Sequence, residues 1–201
     1  MIRVDEEGDL RIVTLDRVDK ANALTRSMLT DLVDATRAAR GAKTVIFTGV
    51  GGVFSAGADL EEARAGLATD PLWERLSASV AALPGLTIAA LNGSAAGGSL
   101  GLVLACDLRV AVPAARIFYP VMKLGFAPQP SDPVRLRALV GPAGAKRVLL
   151  AGEKLAADEA LRIGLLDEIA EDPLTRARAL CADALSADRA HVRALKGMIP
   201  D

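Results

Sequence analysis

One stretch constrains the fold more than any other. Thr87 to Leu91 is an apolar run that reads as a buried strand, and Asn92-Gly93-Ser94-Ala95-Ala96-Gly97-Gly98 then makes a tight small-residue loop. From about Ser99 the apolar spacing suits a short buried helix. A strand that turns through glycines into a helix leaves backbone N–H groups unpaired, and these favour an anion or a developing oxyanion. A second loop of the same kind, Gly49 to Leu60, follows the apolar strand Thr44 to Phe47. One such loop is ordinary turn chemistry. Two can each give one N–H to a single carbonyl oxygen, which is an oxyanion hole.

The 201 residues fit one domain with a sizeable core, and 51% hydrophobic content fits a globular protein. A formal net charge of −1, with dispersed basic residues, argues against a nucleic-acid surface, and aromatic content of only 3% argues against base-stacking platforms. Cys106 and Cys181 both lie in apolar surroundings and read as buried thiols rather than a disulfide. His191 is the only histidine and neither cysteine has ligand spacing, so no metal site is expected. No signal peptide or bilayer-length apolar run is read, so the expected location is cytoplasmic, without membrane partners.

Along the chain, Ile2–Val4 and Leu10–Leu15 are strand candidates around a Glu7-Gly8-Asp9 turn. Thr25 is placed to cap a helix with Met28, Leu29, Leu32, Val33 and Thr36 on one face, ending near Gly41. Residues 61–70 are polar and small and predict a mobile loop or frayed helix. Pro71 starts a helix with Leu72, Leu76, Val80 and Leu83 on one face. Leu108–Val112 and Ile117–Tyr119 read as strands, and Gly125–Pro130 as irregular. Asp132 before Pro133 reads as an N-cap with a first-turn proline, the helix reaching Val140, where Gly141 ends it and Pro142 starts another. Asp158 is expected to cap a further helix, and Asp172-Pro173 to open the last helical stretches. Strands alternating with helices point to α/β layers.

Four ordered motifs carry a family resemblance. They are Leu15 to Leu24, Phe54-Ser-Ala-Gly-Ala-Asp-Leu60, Asn92 to Gly98 ending in Ala105-Cys-Asp107, and Gly152 to Leu166. Together they resemble the enoyl-CoA hydratase/isomerase (crotonase) family. The resemblance implies an α/β fold, a crotonase-like spiral of ββα units, with a shortened carboxyl-terminal helical region. It implies a single domain over 1–201, with the core at about 1–170 and carboxyl-terminal helices at about 171–201. It implies an acyl-CoA thioester as substrate, CoA entering only as part of that substrate with no separate cofactor, and a homotrimer or dimer of trimers. Ala58 and Gly98 then supply the oxyanion N–H donors. Lys20, Ala21, Ala23, Ala56, Asp59, Leu60 and Gly97 fall on the segments that line the CoA moiety and thioester.

The resemblance also sets a problem. Hydratases of the family use two glutamates as general acid and base, and their positions here carry Gly101 and Val121. Neither side chain moves a proton, so standard hydration is in doubt, and decarboxylation, thioester hydrolysis or acyl-CoA binding without catalysis stand beside it. Asp132 is the carboxylate candidate, although Asp before Pro at a helix start is more often an N-cap. Tyr119, the only tyrosine, is a candidate hydrogen-bond donor, although a half-buried strand tyrosine is commoner. Glu61 and Glu62 suit a helix start, and Asp107 a structural role.

Overall fold

The computed structural model describes residues 1–199; the last two residues of the expected domain lie outside the described residues. The chain opens with a hairpin, β1 (Ile2–Glu7) and β2 (Leu10–Leu15), and then α1 (Arg26–Ala38), capped by Thr25 through the Met28 N–H. From there one unit recurs: a long strand, a short strand and a helix. The first is β3 (Thr44–Gly49), β4 (Val53–Ser55) and the helices α2 (Leu60–Arg64) and α3 (Leu72–Ala81). The second is β5 (Leu86–Leu91), β6 (Ser94–Ala96) and α4 (Ser99–Ala105), and the third is β7 (Leu108–Ala111), β8 (Arg116–Phe118), α5 (Val121–Leu124) and α6 (Asp132–Leu149). Then come β9 (Leu155–Ala156), α7 (Ala157–Arg162), β10 (Glu168–Ile169), α8 (Pro173–Leu180), α9 (Ala182–Ser186) and α10 (Arg189–Gly197).

The long strands form one sheet in the order β1-β2-β3-β5-β7-β10, parallel except for β1. The short strands form a second, in the order β4-β6-β8-β9. This is the expected ββα spiral, each turn placing one strand in each sheet.

Side-chain alternation explains why the long strands read as continuous apolar runs. Val45, Phe47, Ala89 and Leu91 face the main core, packed by α1, α3, α4 and α6. Ile46, Ile88, Ala90 and Val110 point the other way, where α8 covers them with Ala177 and Cys181. A strand buried on both faces has no polar side to reveal its period.

Three expectations change. Residues 61–70 are not a loose loop: α2 and a 3₁₀ turn at Leu67–Thr69 order them, with Leu67 buried, Asp70 paired to Arg26, and the Trp73 indole N–H donating to the Leu67 carbonyl at 2.8 Å. Asp158 lies in the first turn of α7 and makes no cap. The Asp132 carboxyl does not cap α6 either; Ser131 occupies the N-cap position, and the side chain of Asp132 is turned inward. Other local readings stand, including the break at Gly141 (φ 70°) and the helix start at Asp172, which caps α8; Asp59 also caps α2.

Candidate active site

The amino-terminal segment is stitched onto the first glycine loop. The Asn22 side chain, wholly buried, donates to the Val50 and Val53 carbonyls and accepts from the Arg17 N–H. Arg17 in turn reaches the Ala23 carbonyl and the Asp59 carboxylate, each within 2.9 Å, and its guanidinium holds the Asp59 carboxyl below the usual range. The Ala56 N–H donates to the Ala21 carbonyl. These bonds bring Lys20, Ala21 and Ala23 beside Ala56, Asp59 and Leu60, all at least partly exposed.

The two oxyanion candidates are set by the same stitching. Leu24 and Ala58 form an isolated parallel bridge, in which the Leu24 N–H donates to the Gly57 carbonyl (2.7 Å) and the Asp59 N–H to the Leu24 carbonyl (2.9 Å). In extended chain successive N–H groups alternate sides, so the Ala58 N–H faces away from this bridge. On the second loop the Gly97 N–H donates to the Phe118 carbonyl. Among the described residues neither the Ala58 nor the Gly98 N–H donates to a protein acceptor.

The two loops touch. Gly57 has φ +92°, and a Cβ there would sit 2.8 Å from the Ala96 carbonyl oxygen and 3.4 Å from the Gly97 Cα. Glycine is required on both counts. Gly98 lies flat against Trp73, where a Cβ would meet the ring at 3.0 Å. Trp73 is buried and pinned through its indole N–H, so one wall beside Gly98 is apolar and fixed.

The carboxyl half of the site comes from elsewhere. Asp132 is wholly buried, and its Oδ1 would lie 3.1 Å from a Cβ at Gly101. Gly101 is three residues into the helix that follows Gly98, less than one turn away. The missing side chain at 101 is therefore the space into which the Asp132 carboxyl projects. The Tyr119 O–H donates to Asp132 Oδ2 at 2.8 Å, and Oδ1 has no hydrogen-bond partner. Burial pushes the Asp132 carboxyl up to about 6, opposed by the Tyr119 hydrogen bond. Burial likewise raises the Tyr119 phenol, with the Asp132 charge adding to it. Val121 is a buried apolar residue opening α5.

Sequence reasoning missed the groups around Asp132. Glu74 on α3 accepts from the Ser131 N–H (3.1 Å) and Oγ–H (3.0 Å). Ser77 donates to the Gly101 carbonyl at 2.9 Å, and Arg135 donates to Ser77 and Ser131. The one available signal was a glycine, Gly101, inside a buried apolar helix, which calls for a packing reason. Asp107 is structural as expected, accepting from the Thr87 N–H and hydroxyl and pairing with Lys196. His191 is exposed beside an apolar groove of about 920 Å³ at the far end of α4, between Leu104, Val192 and Leu195, away from the oxyanion loops. Among the described residues no cluster of His, Cys, Asp or Glu has metal-site geometry, and no helix is long and apolar enough to cross a membrane.

Comparison with known proteins agrees with this architecture. A protein named probable enoyl-CoA hydratase EchA14, from Mycobacterium tuberculosis, is 38% identical, across 98% of this chain and 79% of its own length. The crystal structure of an enoyl-CoA hydratase from Bacillus anthracis superposes with a TM-score of 0.90 at 30% identity, covering 98% of this chain and 81% of that one. Pseudomonas aeruginosa DspI superposes with a TM-score of 0.89 at 30% identity, covering 97% and 78%. The enoyl-CoA hydratase/isomerase family profile matches residues 5–200. This chain belongs to the enoyl-CoA hydratase/isomerase family.

Proposed function

We propose that the chain binds an acyl-CoA thioester and moves one proton at the carbon beside its carbonyl, stabilising the enolate. The thioester oxygen takes the Ala58 and Gly98 N–H groups. Asp132 Oδ1 takes the proton: the C–H bond breaks, an O–H bond forms on Asp132, and the electron pair shifts onto the carbonyl oxygen. Tyr119 keeps the other carboxyl oxygen fixed. Return of the proton to the same carbon exchanges it, and return two carbons further moves a double bond. Lys20, Ala21, Ala23, Ala56, Asp59, Leu60 and Gly97 are the candidate lining for the CoA and thioester.

The observation that carries this reading is the unpartnered Asp132 Oδ1, wholly buried and aimed at the face of Gly101. A buried polar atom left unbonded costs about 1–3 kcal/mol, a cost that a purely structural aspartate has no reason to carry. Two N–H donors beside it are worth roughly 2.7–4 kcal/mol each to a developing oxyanion. The buried Trp73 wall excludes water and strengthens both effects. Water addition needs a second proton-handling group, and Gly101 and Val121 offer none.

The test is incubation with crotonyl-CoA, 3-butenoyl-CoA and butyryl-CoA in D₂O, read by mass spectrometry. Deuterium uptake or a shifted double bond, lost in Asp132→Asn, supports the reading. Free CoA, loss of carbon dioxide from a malonyl-CoA control, or binding without turnover replaces it with hydrolysis, decarboxylation or a binding role. The homotrimer or dimer of trimers is part of the proposal, and a light-scattering mass equal to one chain removes it.

A further inference from the structure

Asp132 opens α6, but the residue that holds this helix end in place sits on another helix. Glu74 Oε2 accepts both the backbone N–H and the hydroxyl of Ser131, the residue immediately before Asp132. Ser131 is also held by Arg135 from within α6, and Arg135 bonds Ser77, whose hydroxyl donates to the carbonyl of Gly101. One polar cluster thus ties α3, α4 and α6 together beside the face of Gly101. Among the described residues Arg135 makes no ion pair with a carboxylate, and it is linked to Glu74 through the Ser131 hydroxyl, which accepts from Arg135 and donates to Glu74.

We propose that Glu74 is a positioning residue for Asp132, clamping the start of α6 so that Asp132 Oδ1 stays aimed at Gly101 while its own negative charge faces the Asp132 carboxyl. This rests on the proton-transfer reading of the site. The clamp works because a helix start has free N–H groups that need an acceptor. With Asp132 turned inward to Tyr119, no side chain of α6 supplies that acceptor to the Ser131 N–H, and α3 does instead. The charge works in the same direction as burial. Three titratable groups act on the Asp132 carboxyl: Tyr119 from the end of β8 draws the proton off by hydrogen bonding, Glu74 from α3 keeps it on, and Arg135 from α6 draws it off, with the Gln129 backbone acting the same way as Tyr119. α4 brings no charged side chain to this face. A proton acceptor that titrates near neutrality is a better base at working pH than an ordinary aspartate.

The experiment is a ¹³C-carboxyl titration of the whole chain, labelled at aspartate, with the Asp132 signal assigned by its loss in Asp132→Asn. Glu74→Gln keeps an acceptor for Ser131 and removes the charge; Glu74→Ala removes both. Both are expected to lower the Asp132 midpoint by roughly 0.5–1 pH unit. Glu74→Ala alone should also let the Asp132 side chain leave Gly101 in a crystal structure, and should lower deuterium exchange into acyl-CoA about tenfold at pH 8, where Asp132 is ionised in every variant. A midpoint unmoved in both variants overturns the role of the charge, and an unmoved side chain in Glu74→Ala overturns the clamp. If the wild type shows the raised midpoint but no exchange, the proton-transfer reading fails, and the titration and crystal structure still decide what Glu74 does to Asp132.

Discussion

The two halves of the site are built from different material. The proposed oxyanion half is backbone: two glycine loops, each following a buried strand, pressed together until only glycine fits at position 57. The carboxyl half is side chain: Asp132 from α6 faces Gly101, Tyr119 from the end of β8 bonds the Asp132 carboxyl, and Glu74 from α3 bonds Ser131 beside it. A backbone device depends on loop contact and tolerates many side chains around it. A side-chain device depends on three separately folded elements arriving in register.

Breaking loop contact is the strongest test of that difference. Gly57→Val puts a branched side chain at φ +92° against the Ala96 carbonyl. It is expected to lower acyl-CoA exchange by about 10²–10³-fold, the scale of a lost oxyanion donor, and to lower the melting temperature with it. Asp132→Asn should remove a comparable share of the rate, about 10²–10⁴-fold for a general base, with the opposite effect on stability. The folded-state value of about 6 lies above the unfolded value near 3.8. The folded state therefore binds more protons through that window, and stability falls as pH rises across it. Above pH 6 the cost is complete, roughly 3 kcal/mol for about two units. Asp132→Asn should accordingly be more stable than wild type at pH 7 and equal to it near pH 4, by denaturant titration at both values. Equal stability at pH 7 would contradict the buried charge.

Smaller changes separate the halves further. Tyr119→Phe removes the bond that favours the Asp132 carboxylate, so the acid limb of the pH–rate profile should move up by about one unit or less. The same substitution should leave CoA affinity unchanged, because the hydroxyl it removes bonds the Asp132 carboxyl. Lys20→Ala should do the reverse: a few-fold weaker CoA binding, fading as salt is added, with the pH profile in place.

The oxyanion half was readable because its signals are local. A buried strand, glycines at the turn and the start of an apolar helix fall within about twenty residues, and the resemblance to the family runs through those same residues. The second sheet was less readable: β4, β6 and β9 have three residues or fewer, too short to show a period. Asp132 was misread for a physical reason. Asp-Pro is sound capping chemistry, and nothing in the sequence shows that Glu74 already supplies the acceptor at that helix end.

The sequence by itself determined the long strands, the two glycine loops and the absence of carboxylates at positions 101 and 121. Each depends on residues near one another in the chain, where steric rules and hydrophobic period act directly. The tertiary structure alone decided that a carboxyl fills the vacancy at Gly101 and that its proton is held up to about pH 6. Burial and charge proximity are properties of packed surroundings, and here they come from three elements that meet only after α3, α4 and α6 have packed.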